Sequence, residues 1–114
     1  MTDCHFERVA RLGESLPAVA RSTWYRTDAL SVAGKGFVRM KEGMDGVIVV
    51  MVPLGLKDAL IEAEPDKYFE TPHYAGYAAM LVRLDAVSDE ELAGRLDCAW
   101  AQKAPAKLRK EHSR

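Results

Sequence analysis

The apolar segment 47–52, Val-Ile-Val-Val-Met-Val, constrains the fold more than any other part of the chain. Its residues are consecutive and mostly β-branched, which predicts a β-strand. Because successive side chains of a strand point to opposite sides of the sheet, this strand needs apolar cover on both sides. Helices on one side supply half of that cover. We therefore expect a second cover, from the chain itself through its basic C-terminal tail, from a symmetry-related copy, or from a bound ligand.

Shorter patterns place helices and further strands around this segment. The predicted elements are a helix over 6–16, strands at 21–25, 30–33, 37–41, 47–52 and 78–84, a helix between Pro53 and Pro65 with its apolar stripe at Leu56, Ala59, Leu60 and Ala63, and a helix after Ser88. Thr2 or Asp3 is the expected N-cap of the first helix, and Ser88 with Glu91 forms a capping box for the last. Trp24 and Trp100 are assigned to the core, because large rings dominate burial in small domains.

Most of the strands follow one another without a helix between them, which favours antiparallel pairing. The prediction is an α+β domain of two layers, with a mostly antiparallel sheet and helices on one side. The expected order is α-β-β-β-β-α-β-α, with room for one or two further short strands. With 114 residues and 48% hydrophobic content, one core is expected. We assign residues 1–108 to this domain and residues 109–114 to a basic C-terminal tail.

The charge balance excludes a uniformly basic surface, because the formal net charge is −1 and the pI is about 6.3. The charges are nevertheless segregated along the chain. Segment 21–41 holds five cations and one acid, whereas segments 58–70 and 85–97 each hold five acids and one cation. We therefore expect that single charged segments can bind a partner of opposite charge, whereas tight general binding to polyanions is not expected.

Cys4 and Cys98 are far apart and match no paired-cysteine spacing, so we expect reduced thiols, no metal site and no cofactor. The N-terminus lacks the apolar stretch of a secretory signal, and the longest apolar run is too short to span a bilayer. These features predict a cytoplasmic protein without a membrane partner.

A basic strand supplies the candidate binding surface. In segment 34–41 strict alternation would put Lys35, Phe37, Arg39 and Lys41 on one side of the sheet. Cations interleaved with an aromatic ring are typical of nucleic-acid binding surfaces. Further candidate contacts are Arg21, Arg83, Lys107, Arg109 and Lys110. The hypothesis is a non-enzymatic DNA-binding domain with weak, salt-sensitive affinity; the alternative is a protein-interaction module that binds an acidic partner or itself through the same face.

The segment 68–77 concentrates aromatic residues and defines a second candidate site at His73, Tyr74 and Tyr77. His73 and Glu70 could exchange protons, but no nucleophile has an activating context, so an enzyme is not expected. A small-molecule site at this loop is the third hypothesis. Lys35 lies between Gly34 and Gly36, and two interpretations stay open: a phosphate contact or a simple β-turn with a solvated lysine.

Several motifs occur together in a fixed order along the chain. They are Leu16-Pro17, Trp24-Tyr25, the segment 32–37 (Val-Ala-Gly-Lys-Gly-Phe), Phe69-Glu-Thr-Pro-His-Tyr with Gly76, Leu81-Val-Arg-Leu84, Ala99-Trp100 and Ala104-Pro105. In this order they resemble the MmcQ/YjbR family from about residue 6 to residue 108. The resemblance implies an antiparallel α/β domain with a CyaY-like fold, a "double-wing" DNA-binding arrangement and a bacterial cytoplasmic origin. It carries most weight at Lys35, whereas Arg26, Asp28 and Ala99 depart from the family's usual residues.

Overall fold

Strands that follow one another closely along the chain pair as antiparallel neighbours, because short turns join them. The computed structural model describes residues 4–24 and 26–112, and it contains a six-stranded antiparallel sheet in the order β1-β2-β3-β4-β6-β5. The elements are α1 (Cys4–Gly13), β1 (Val19–Trp24), β2 (Thr27–Val32), β3 (Lys35–Met40), β4 (Val47–Met51), α2 (Leu54–Ala63), β5 (Tyr68–Phe69), β6 (Ala79–Arg83), α3 (Asp89–Lys103) and α4 (Ala106–His112). The predicted α+β class and order are confirmed, with β5 and α4 added. The N-cap predicted at Thr2 or Asp3 lies outside the described residues.

One side of the sheet, the helix side, carries the main core. The helix α3 packs along β3 and β4, and α1 packs against α3. Ser88 caps α3 by accepting a hydrogen bond from the backbone N–H of Glu91 at 3.1 Å, as its capping box predicts. Trp100 is buried in this core and donates its indole N–H to the carbonyl of Pro17 at 2.9 Å. The last turns of α3 are thereby tied to the chain that enters β1.

The other side, the loop side, carries a second apolar cluster. Its buried members are Val47, Val49, Tyr74, Ala79 and Leu81, with Met44, Met51 and Phe69 packed against them. Tyr74 comes from the aromatic segment before β6, so the chain itself supplies the second cover that the central strand requires. As far as residue 112, the last that the structure describes, the C-terminal segment does not serve this purpose. Leu108 of α4 packs on the main core, and α4 includes residues 109–112 of the predicted tail.

A β-bulge in β3 overturns the prediction of a single basic face. Ala29 pairs with Arg39 and Leu30 with Val38, whereas Ser31 pairs with Gly36, so β3 has one extra residue at Phe37. The extra residue shifts the alternation of the strand. Phe37 is fully buried in the main core and cannot share a face with Arg39.

The cations of β3 are consequently divided between the two sides of the sheet. Lys35 lies opposite Val32, a residue of the main core, and residues directly opposite each other share one side of the sheet. Lys35 therefore belongs to the helix side, while Arg39, which pairs with Val49, belongs to the loop side. Lys41 follows Arg39 by two residues and lies on the loop side as well.

The helix α2 buries a lysine in place of its predicted apolar stripe. Lys57 has a relative exposure of 1%, whereas Leu54 and Leu56 are 48% and 37% exposed. Leu60 and Ile61 pack on the core, so the inward stripe follows 57, 60 and 61. Within the part of the chain that the structure describes, no helix is long and apolar enough to cross a membrane.

Candidate ligand-binding cleft

A cleft of about 550 Å³ opens on the loop side of the sheet, where β4 ends and β6 begins. Its walls come from the sheet, from the aromatic loop and from the last turn of α3. The lining residues are Trp24, Arg39, Val49, Met51, His73, Tyr74, Tyr77, Ala78, Ala79, Gln102 and Lys103. A volume of roughly 300–1,000 Å³ is typical of small-molecule sites.

Arg39 is the cation of the inner wall and is only 8% exposed. Its guanidinium donates a hydrogen bond to the Tyr74 hydroxyl, and its Cζ lies 6.0 Å from the Tyr74 ring centroid. The same Cζ lies 5.6 Å from the Trp24 ring centroid. A cation–π contact with Trp24 and a hydrogen bond to Tyr74 therefore hold the guanidinium at the wall of the cleft.

Trp24 packs over Gly36, and this contact explains one of the two glycines beside Lys35. A Cβ at Gly36 would lie 2.9 Å from Cε3 of the Trp24 ring, closer than carbon atoms approach. The other glycine, Gly34, has a φ of 82° and forms a two-residue turn with Ala33, whose φ is 50°. Positive φ at both positions is the type I′ hairpin turn. Each glycine thus has a structural reason that involves no phosphate, and Lys35 is exposed at the end of the hairpin.

The aromatic loop is attached to α2 through the buried Lys57. Its ammonium donates to the backbone carbonyls of Tyr74 at 2.8 Å and of Tyr77 at 2.9 Å. It also forms an ion pair of 3.0 Å with the carboxylate of Glu70, at the start of the loop. Three oxygens therefore satisfy a buried charge, and the ammonium fixes both ends of the segment that carries the cleft's tyrosines.

The described lining residues include two cations, Arg39 and Lys103, and no carboxylate. His73 adds an imidazole that contacts Tyr74 edge-on, with ring centroids 5.0 Å apart. No group of three or more His, Cys, Asp or Glu side chains within residues 4–24 and 26–112 could hold a metal ion. The cleft is thus a cationic, aromatic site whose described walls contain neither a cysteine nor a serine.

The structure does not bring the other predicted cations together. Arg21 lies opposite Leu30, on the helix side, and pairs with Glu7 at 2.8 Å and with Glu14 at 3.0 Å. The guanidinium beside Glu7 lowers the pKa of that carboxyl through a hydrogen bond. Arg83 lies at the far end of the loop side, its Cζ 4.0 Å from the Phe69 ring centroid. Lys107, Arg109 and Lys110 are exposed on α4.

Of the predicted loop site, the structure places His73, Tyr74 and Tyr77 together in the wall of the cleft. Sequence reasoning missed Lys57, Gln102 and Lys103, and it assigned Trp24 mostly to the core. Lys57 shares the spacing of one helix face with 60 and 61, but a lysine at such a position is assigned to solvent until its partners are known. For the others, proximity to the loop depends on how α3 crosses the sheet, which no local pattern records.

The model of the YjbR family matches residues 14–102 of this chain. An uncharacterized Mycobacterium tuberculosis protein, Rv2570, and an uncharacterized Mycobacterium bovis protein, Mb2600, are each 46% identical to it over 54 residues. That alignment covers 47% of this chain and 42% of each relative, so the match spans less than half of their length.

The fold is similar to that of the Deinococcus radiodurans protein DR2400, a crystal structure with a DUF419 domain. The TM-score is 0.72 at 18% sequence identity, over 95% of this chain and 87% of the other. This likeness concerns the fold alone. The family match covers most of the chain and includes the bulged hairpin, the aromatic loop and most of α3. The chain belongs to the YjbR family.

Proposed function

We propose that this chain is a non-enzymatic binding domain and that its ligand site is the cleft on the loop side. The observation that carries the proposal is the position of Arg39, a nearly buried cation that contacts the Trp24 ring and the Tyr74 hydroxyl at the wall of a cavity of about 550 Å³. Preformed concave sites with a few fixed polar groups among apolar and aromatic walls are the usual form of ligand sites. The anchored loop supports the same conclusion, because Lys57 bonds to the carbonyls of Tyr74 and Tyr77 and fixes this wall of the cleft.

Ligand mapping by NMR tests this proposal with a panel of chemically diverse compounds. A set of small acidic, neutral and basic compounds is added to ¹⁵N-labelled protein, and the amide and indole resonances are followed. We expect the shifted resonances to cluster at Trp24, Arg39 and residues 73–79. Hits that shift resonances elsewhere, or no hits at millimolar concentration, contradict the proposal. Trp100 supplies the internal control, because its indole is buried outside the cleft.

DNA binding through exposed cations is a second candidate function. The favouring observation is that Lys107 and Lys110 are exposed on α4 and form no ion pair within the described part of the chain. Phosphate contacts of this kind give weak binding that falls steeply as salt rises, by roughly a decade for every few phosphates neutralised. A fluorescence titration of a short duplex at low and moderate salt is the test. No salt-sensitive binding, or equal binding by the Lys107→Ala/Lys110→Ala variant, contradicts this candidate.

A protein-interaction module, with an acidic partner or a second copy, is the remaining candidate. Three large apolar side chains are exposed in the described chain, Leu54 at 48%, Leu56 at 37% and Tyr77 at 65%. Leu54 and Leu56 lie on α2, which is joined to the aromatic loop by the bond from Lys57 to the carbonyl of Tyr77. Sedimentation at tens of micromolar tests the self-association version, which predicts a dimer that Leu54→Ser weakens. A monomer at that concentration removes it.

A further inference from the structure

We infer that the ligand of the cleft is an aromatic anion: a planar ring that carries one carboxylate or phosphate group. This inference rests on the proposed function and specifies the chemistry of the same site. Two observations lead to it, the sign of the charge on the walls and the shape and composition of the apolar surface between them.

Arg39 and Lys103 make the described walls of the cleft positively charged. Both are cations of the lining, and no described lining residue is an acid. A cation within a low-dielectric wall produces a positive potential in the space beside it, and a cleft focuses that potential. A ligand with a negative group is favoured there, whereas a cationic ligand would be desolvated beside two like charges. Gln102 and the Tyr77 hydroxyl provide neutral hydrogen-bonding groups at the same walls.

The apolar walls of the cleft are rich in aromatic rings. Trp24, Tyr74 and Tyr77 supply three large aromatic surfaces, and Met51 adds a polarisable thioether. Tyr77 is 65% exposed, so its ring is open for stacking at the mouth of the cleft. Flat aromatic ligands use such walls well, because stacking and edge contacts add to simple area burial. The cleft is large enough for one ring system with its acidic substituent and too small for a folded partner.

The positions of Arg39 and Lys103 predict how the ligand lies in the cleft. Arg39 has little freedom to follow a ligand, since its guanidinium contacts the Trp24 ring and donates a hydrogen bond to the Tyr74 hydroxyl. Lys103 lies in the last turn of α3 and is half-buried, with a longer and more adaptable side chain. The acidic group of the ligand is therefore expected to face these two cations while its ring lies along the tyrosines.

The experiment uses matched probes and the whole chain. Adenosine 5′-monophosphate, adenosine and ribose 5-phosphate separate the contributions of ring and anion, and 1-naphthoate replaces phosphate by carboxylate. Binding is followed by Trp24 emission, with Trp24→Phe identifying which tryptophan responds, and by NMR shifts. We expect the nucleotide or the naphthoate to bind at least about tenfold more tightly than adenosine or ribose 5-phosphate, because only these probes carry both features.

Charge reversal supplies the second part of the experiment. Lys103→Glu is expected to weaken binding of the anionic probe at least about tenfold, as an attractive charge becomes repulsive. Lys107→Glu, the same reversal on exposed α4 outside the cleft, is expected to change it less than about twofold. Whether adenosine 5′-monophosphate or 1-naphthoate binds more tightly distinguishes a nucleotide ligand from an aromatic carboxylic acid.

The outcomes separate this inference from the proposed function. A neutral or basic aromatic that binds in the cleft as tightly as either anion overturns the inference and leaves the cleft as the ligand site. Absence of binding by both aromatic anions at millimolar concentration, or equal effects of Lys103→Glu and Lys107→Glu, also overturns it. Shifts confined to residues outside the cleft overturn both.

Discussion

Lys57→Met tests how the aromatic loop is held. Methionine keeps most of the length and apolar volume of the lysine stem but removes the ammonium, so α2 can pack as before. The carbonyl of Tyr77 then loses the ammonium, the carbonyl of Tyr74 keeps only the Tyr77 N–H at 3.0 Å, and Glu70 loses its partner at 3.0 Å. Since Lys57 is buried and all three of its bonds are short, we expect this substitution to be far more costly than the loss of a surface lysine.

The magnitude follows from these groups. A hydrogen bond to a charged donor contributes roughly 1.5–3 kcal/mol, and a carbonyl left buried without a donor costs about 1–3 kcal/mol. Part of this lost free energy is recovered, because the variant no longer has to take a charged ammonium out of water. We expect a net loss of about 2–4 kcal/mol in the free energy of unfolding. For a chain of this length that corresponds to a Tm lowered by roughly 8–16 °C.

Urea denaturation and calorimetry measure this loss, with Lys67→Met as the matched control. Lys67 pairs with Glu64 at 3.1 Å and with Glu91 at 2.9 Å, but its side chain is 28% exposed. Exposed ion pairs contribute at most about 1 kcal/mol. Equal losses in the two variants, or a loss below about 1 kcal/mol at Lys57, refute the reasoning. NMR should also show the resonances of residues 70–78 shifted or broadened in Lys57→Met alone.

Three further predictions concern the hairpin, the cleft wall and pH. Ala33→Asn should stabilise the protein by about 0.5–1 kcal/mol in urea denaturation, because asparagine tolerates the positive φ of a type I′ turn. Gly36→Ala should displace the Trp24 ring, shift its emission and weaken the binding of any ligand in the cleft. Gly94→Ala is the control and should cause none of these changes, because a Cβ added at Gly94 has no atom within 4 Å. Glu91 has its pKa lowered by the Tyr68 hydroxyl and by Lys67, so its contribution to stability is present above its ordinary pKa of 4.5 and lost as pH falls through the lower folded value. The difference between wild type and Glu91→Gln in urea midpoint should therefore narrow from about pH 7 to about pH 3, and a constant difference contradicts this.

The element order was predictable because each element has a local cause. The central apolar segment and the Ser88 capping box each act within a few residues, and both appear as expected. The bulge at Phe37 was not predictable in the same way. Strict alternation would place Phe37 on the same side as Arg39, whereas the core needs a large ring opposite α3. Only the assembled sheet shows that Phe37 takes the core position.

The candidate site shows the same division between local and long-range causes. His73, Tyr74 and Tyr77 were predictable as a group, since they are close in sequence on a loop rich in rings. Lys57 was not, because a lysine in a helix is assigned to solvent unless its partners are known. Those partners are backbone carbonyls 17 and 20 residues further along the chain. Carbonyls carry no sequence signature, so a buried cation that binds them cannot be recognised before the fold is known.

The bulge also determines which side chains β3 presents on the loop side of the sheet. Without it, Phe37 would accompany Arg39 on the loop side and form the flat basic surface that suits a nucleic-acid backbone. With it, Phe37 completes the core, and Arg39 is left on the loop side among Trp24 and Tyr74. The face predicted to be flat and cation-lined is thereby a concave site with one oriented cation, and a compact aromatic anion is the ligand that we propose for it. Deletion of Phe37 would restore strict alternation only by removing a fully buried ring, so the concave site and the stability of this sheet depend on the same residue.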